Sequence, residues 1–172
     1  MRLIRNIILI VVPFLFLISC ENEDASKMNK VGQIYIYHSS FGMRNMEYNI
    51  DFIGKKFYKY IRNIDNTTER DSSLQNDGYD DVIDLSDKKI QRFLKKANKY
   101  GFLDWKEEYV DDQISDGHQW GIIISFTDGR KHEIKGSNKY PSTWDEMYSE
   151  FETLTGTNLL LLRSDWMKEQ SK

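Results

Sequence analysis

The stretch HQWGIIISFTDGRKHEIKG, residues 118–136, decides the fold. Its first nine residues are β-branched and aromatic, TDGR is a turn, and KHEIKG continues the pattern, so the segment reads as a β-hairpin. The register follows from the faces. A two-residue Asp128-Gly129 loop would pair Ile122 with Lys135 and mix apolar with charged residues. A three-residue loop, Thr127 to Gly129 with Gly129 left-handed in a G1 bulge, pairs Ile122 with Ile134. It also puts Trp120, Ile124 and Phe126 on that face, so this register is preferred.

Working outward, GQIYIYHSS (32–40) alternates, with Ile34 and Ile36 on one face and Tyr35 and Tyr37 on the other. EYNIDFIG (47–54) keeps Tyr48, Ile50 and Phe52 in step, and Gly54-Lys55 turns it into KFYKYIRNI (56–64). These three runs predict an antiparallel meander. Residues 65–81 are polar, contain Asn76-Asp77-Gly78, and read as a long loop, and DVIDLS (81–86) is a short strand or lead-in. Ser86 can cap a helix with Asp87 at its positive end; Ile90, Phe93, Leu94, Ala97 and Tyr100 follow at helical spacing, and Gly101 stops it. FLDW and EYV are short apolar patches of a connector. After the hairpin, Ser142 and Asp145 form a capping-box-like pair with Pro141 just outside. Trp144, Met147, Tyr148, Phe151 and Leu154 form one stripe ended by Gly156, and NLLLL (158–162) adds a buried segment. Strands, helix, strands, helix, with no βαβ rhythm, predict one α+β domain: an antiparallel sheet with about two helices on one face.

The N-terminus carries an address. Arg2 and Arg5 precede an apolar run, residues 7–18, that rises only about 18 Å as a helix, too short for a hydrocarbon core of about 30 Å. That is the layout of a secretory signal. Its ending, Leu17-Ile18-Ser19-Cys20, resembles the lipobox of bacterial lipoproteins. The resemblance implies cleavage between Ser19 and Cys20 and acylation of Cys20 with diacylglycerol and a palmitate-type chain. Cys20 is the only cysteine, so an internal disulfide is excluded, and acylation would remove a thiol that an oxidising compartment makes a liability. The acidic run Glu21 to Asp24 resembles the export signal of surface-exposed lipoproteins and equally reads as a solvated tether. The expected organisation is a signal peptide at 1–19, a flexible tether at 20–30 and a globular domain at 31–172. Without the signal the chain has 153 residues, 22 of them basic and 27 acidic, a net charge of −5. Nucleic-acid binding, which needs a basic stripe, is not expected.

A second resemblance covers roughly residues 83–156. A Gly and a Trp after a helix (Gly101, Trp105), DG-x-x-W (Asp116, Gly117, Trp120), a strand, DG (Asp128, Gly129) and G-S-N-x-Y-P (Gly136, Ser137, Asn138, Tyr140, Pro141) look like a pattern in uncharacterised bacterial lipoproteins. It implies one fold unit and no activity. Turn and helix-entry chemistry accounts for much of it. Asn138 and Tyr140 could instead line a pocket beside the helix N-terminus. The loop Asp111 to Gly117 fails the EF-hand spacing; it reads as a solvated turn, with Asp111, Asp112 and Asp116 as the acids of a looser ion or ligand loop. The chain has no G-x-S-x-G, P-loop, H-E-x-x-H or G-x-G-x-x-G, and no cofactor or metal is expected. His38, His118 and His132 are expected as exposed strand residues, His118 beyond the paired region and His132 opposite Ile124. The expectation is a lipid-anchored envelope protein whose domain binds a protein or glycan partner without catalysis. The alternative is a glycan-directed envelope hydrolase using acids of the 111–118 loop.

Overall fold

The computed structural model describes residues 27–40, 45–62, 79, 81–114 and 117–159. Strands β1 (Val31–Ser40), β2 (Asn45–Asp51) and β3 (Lys56–Arg62) form the expected meander, and β4 (Asp81–Asp84) extends it. Helix α1 (Asp87–Lys99), a 3-10 turn (Phe102–Asp104), β5 (Glu108–Val110), the hairpin β6 (His118–Phe126) and β7 (Lys131–Ser137), and helix α2 (Trp144–Thr155) follow. The seven strands make one sheet in the order β4-β3-β2-β1-β6-β7-β5. The domain is α+β, as the element order implied.

The hairpin has the preferred register. Ile122 pairs with Ile134 and Ile124 with His132, the Phe126 N–H donates to the Arg130 carbonyl, and Gly129 takes φ +86°. In β1, Ile34 pairs with Ile50 and Ile124, and Ile36 with Tyr48 and Ile122. One face of the sheet thus carries Ile34, Ile36, Tyr48, Ile50, Phe57, Trp120, Ile122, Ile124 and Ile134, all buried. The helices lie on this face. Ile90, Phe93, Leu94 and Ala97 of α1 and Trp144, Met147, Phe151 and Leu154 of α2 complete the core. The Phe93 and Phe151 rings meet at 5.0 Å, and Arg92 pairs at 3.2 Å with the buried Glu150 carboxylate beside them.

Helix ends follow the expected chemistry at three of four places. The Ser86 hydroxyl accepts from the Lys89 N–H, Gly101 follows α1 with φ +63°, and Gly156 closes α2 at φ +72°. The start of α2 differs. Its N-cap is Thr143, not Ser142, and the Thr143 hydroxyl is engaged elsewhere: it donates to the Tyr100 carbonyl and accepts from Trp105 Nε1, each at 3.0 Å. A tertiary tie between the α1 exit and the α2 entry replaces the local capping box.

Further differences have local causes. EYV is not a connector but β5, an edge strand parallel to β7 with Tyr109 opposite Gly136, so the sheet is mixed rather than wholly antiparallel. The β2–β3 turn spans four residues, and Lys55 rather than Gly54 takes the left-handed conformation, φ +52°. Gly54 is needed there for space: a Cβ would lie 2.4 Å from Asp51 Oδ2, and Asp51 Oδ1 accepts from the Ile53 and Gly54 N–H groups. Packing also begins before residue 31, because Met28 is buried in the core and the Lys30 carbonyl accepts from the Thr127 N–H. Leu159 of the NLLLL run is buried; residues 160–162 lie outside the described residues. No helix among the described residues is long and apolar enough to cross a membrane.

Candidate functional site

The motif residues converge on one corner of the sheet, where β6 and β7 meet the entry of α2. The Trp120 ring lies over Gly136 on the neighbouring strand, where a Cβ would sit 2.3 Å from the indole. Trp120 Nε1 donates to the Lys139 carbonyl at 3.0 Å. Tyr140 stacks on Trp120 at 5.9 Å and 9°, Trp144 contacts it at 4.3 Å, and Tyr109 at 6.0 Å. Asn138 holds φ +56°; its N–H donates to the His118 carbonyl at 2.9 Å and its Oδ1 accepts from the His118 N–H at 2.7 Å. The side chain thereby continues the β6–β7 ladder past its last backbone pair. Gly117 has to be glycine because a Cβ would lie 2.0 Å from Asn138 Oδ1. Gly117, Gly136, Trp120, Asn138 and Tyr140 thus form a packing clasp, which Asn138 and Tyr140 close through His118 and Trp120.

The histidines correct the sequence reading. His118 lies beyond the last β6–β7 pair, Gln119 with Ser137, as expected, but it is not exposed: it stands opposite Ser40 of β1. His38 and His118 are both about 1 % exposed, with ring centroids 3.6 Å apart, and Tyr140 shares a 2.6 Å hydrogen bond with His118 Nδ1. They are buried because His38 points to the core face opposite Trp120 while α2 and the Tyr140 loop close the corner. Burial lowers His38 to about 4; burial and then the neighbouring His38 lower His118 to about 3. Burial thus favours the neutral form of both rings at pH 7. His132 is half-buried opposite Ile124, as the register required.

The acidic loop lies only partly within the described residues. Asp111 Oδ1 accepts from the Gln113 N–H at 3.1 Å, an Asx turn, while the Asp111 N–H donates to the Ser137 carbonyl. Asp112 is exposed, and Asp116 lies outside the described residues, as do Ser19 and Cys20. No group of three or more His, Cys, Asp or Glu among the described residues is placed to hold a metal ion. An apolar void of about 10 Å³ between Ile36, Ile122, Trp105, Trp144, Met147 and Phe151 is too small and too apolar for a ligand or an ordered water.

The sheet face turned away from the helices has a different character. Strand pairing sets Val82, Tyr58, Asn49, Tyr35, Ile123 and Glu133 in one row, and Tyr60, Glu47, Tyr37, Gly121 and Lys135 in the next. Two pairs of tyrosines therefore flank an amide and a carboxylate on β2. Tyr35 and Tyr37 lean together at 6.1 Å, and Tyr79 reaches Tyr58 at 4.7 Å. Gly121 supplies the recess for the Tyr37 ring, since a Cβ there would lie 2.2 Å from its Cζ. Burial, then the charge of Glu133, raises the Tyr37 phenol above its ordinary range. All four tyrosines are half-buried. Alternation placed Tyr35 and Tyr37 on one face; that Tyr58 and Tyr60 share it across β2 needed the register.

No protein-family model, curated protein sequence or solved structure matches this chain.

Proposed function

We propose that the protein is a non-catalytic binding module held at a membrane of the cell envelope through acylated Cys20. The observation that carries this reading is the tyrosine-bearing sheet face. Amphipathic rings around an amide and a carboxylate offer apolar area and hydrogen bonding together, the composition of a recognition surface. The lone cysteine after a short apolar run supports the anchor.

The test joins anchor and face. Intact mass and detergent partitioning of the native protein are compared with a Cys20→Ala variant, and envelope extracts are passed over wild type and a Tyr35→Ala, Tyr58→Ala double variant. Loss of residues 1–19 with added acyl mass, and a retained component that the double variant releases, are expected. A soluble chain with an unmodified thiol overturns the anchor. Retention indifferent to the tyrosines overturns the face.

A further inference from the structure

Helix α1 carries a charge unlike the rest of the domain. Lys88, Lys89, Arg92, Lys95, Lys96 and Lys99 stand against one acid, Asp87, in a chain that is net acidic. Asp87 is already paired with Lys55 at 2.8 Å, and Arg92 with Glu150 at 3.2 Å. Lys88, Lys95 and Lys99 follow one another at helical spacing, exposed, on the side opposite Ile90, Phe93, Leu94 and Ala97. Among the described residues no carboxylate pairs with these three. The neighbouring α2 has the opposite sign, with Asp145, Glu146, Glu150 and Glu152 and no basic residue. The excess positive charge of the helix layer is therefore confined to α1.

The chain enters the domain beside this helix. Lys27 and Met28 line a small cleft with Asn98 and Gly101 at the end of α1. Cys20 is seven residues before Lys27, a reach of at most about 25 Å. The helix itself is about 20 Å long. An acyl anchor at Cys20 thus holds the lysine stripe within reach of the bilayer surface. Anionic headgroups attract each lysine there by about fivefold in binding constant. The residue type selects lipid over an acidic protein. Lysines are hydrated, mobile point charges that suit a fluid layer of phosphates, whereas fixed carboxylates are matched by the guanidinium fork. The one arginine of α1 turns to Glu150 instead. Resting on the anchor proposed above, we infer that the lysine stripe of α1 docks on the anionic phospholipid headgroups of the leaflet that holds the anchor. The helices and the tyrosines lie on opposite faces of the sheet, so docking through α1 turns the tyrosine face away from the bilayer, open to a partner.

The test uses the full native chain, purified in detergent with its intact mass recorded. It is reconstituted in vesicles of phosphatidylcholine alone, or of phosphatidylcholine with phosphatidylglycerol. A water-soluble amine-acylating reagent labels the lysines, and peptide mass spectrometry gives the rate at each. Lys88, Lys95 and Lys99 should label at least about fivefold more slowly on the anionic vesicles than on the neutral ones, and added salt should remove the difference. Lys135, exposed on the tyrosine face, should label alike on both. In a Lys88→Gln, Lys95→Gln, Lys99→Gln variant, slowing at Lys89 and Lys96 should vanish. Equal labelling of the stripe on the two vesicles by an acylated chain overturns the docking and leaves the anchor standing. Labelling as slow in detergent as on the anionic vesicles would mean that part of the chain itself, such as the acidic run Glu21 to Asp24, covers the stripe, and overturns the lipid assignment. Equal protection by soluble polyglutamate would mark an acidic protein as the occupant and overturn it as well. A chain without acyl mass that still floats with the anionic vesicles alone keeps the docking and overturns the anchor.

Discussion

Gly136→Ala tests the clasp that unites Gly136, Trp120, Asn138 and Tyr140. The added Cβ would lie 2.3 Å from Trp120 Cε2 and 2.4 Å from Cζ2 and Nε1, far inside van der Waals contact. The indole has little room to yield. It is 1 % exposed, Trp144 is at 4.3 Å, Tyr140 stacks at 5.9 Å, and Nε1 is tied to the Lys139 carbonyl. Overpacking of this kind costs about 1–3 kcal/mol, and losing the indole hydrogen bond adds about 0.5–1.5 kcal/mol. The reduced entropy of the unfolded alanine chain returns about 0.4–1 kcal/mol. The net expectation is a loss of about 2–3 kcal/mol, or roughly 5–10 °C in Tm for a domain of this size. Urea denaturation followed by tryptophan fluorescence measures it, with near-UV circular dichroism reporting the displaced indole. Adding Trp120→Leu removes the clashing ring, so the double variant should show a favourable coupling of at least about 1 kcal/mol. Gly129→Ala is the control: it has open space and φ +86°, so it should cost only its backbone strain, about 1–2 kcal/mol, with no coupling to Trp120. A Gly136→Ala variant within about 0.5 kcal/mol of wild type, or additive with Trp120→Leu, would refute the reasoning.

Other expectations follow from the same corner and from the helix ends. Both buried histidines have folded pKa values below the ordinary 6.5, so the unfolded chain binds more protons between that value and about 3–4. Stability is then fully present above about pH 6.5 and falls with pH, by about 2 kcal/mol per histidine at pH 5; denaturation midpoints from pH 8 to 5 measure the slope, and His38→Phe should roughly halve it. Asn138→Ala strips the acceptor from the His118 N–H and puts alanine at φ +56°, an expected loss of about 2–4 kcal/mol by thermal melting. Asn138→Gly should lose less, since it relieves the backbone; equal losses would place the effect elsewhere. Ser86→Ala should cost about 1 kcal/mol through the lost cap on Lys89 N, read by thermal melting, and an unchanged Tm would deny the cap a role.

The hairpin, the meander and the two helices were legible because each rests on local periodicity. Alternation in 118–136 sorted apolar from charged residues strongly enough to choose a three-residue loop over a two-residue one. The stripes Ile90 to Ala97 and Trp144 to Leu154 turned to the core as their spacing required. β5 was not legible, because three residues carry no usable period and its parallel partner lies more than twenty residues on. The α2 cap was misread because Thr143 serves Tyr100 and Trp105, contacts that no local pattern encodes.

The candidate site divides along the same line. The sequence by itself determined which residues alternate, where turns need glycine, and that a lone cysteine follows a short apolar run. Only the tertiary structure decided which side chains share a place. Pairing β1 with both β2 and β6 brought His38 onto His118 from eighty positions away in sequence. Pairing β3 through β2 set Tyr58 and Tyr35 on either side of Asn49. The physical reason is that a strand's own period fixes the face of each side chain but says nothing of its neighbours, which are set by strand order and register across the whole sheet.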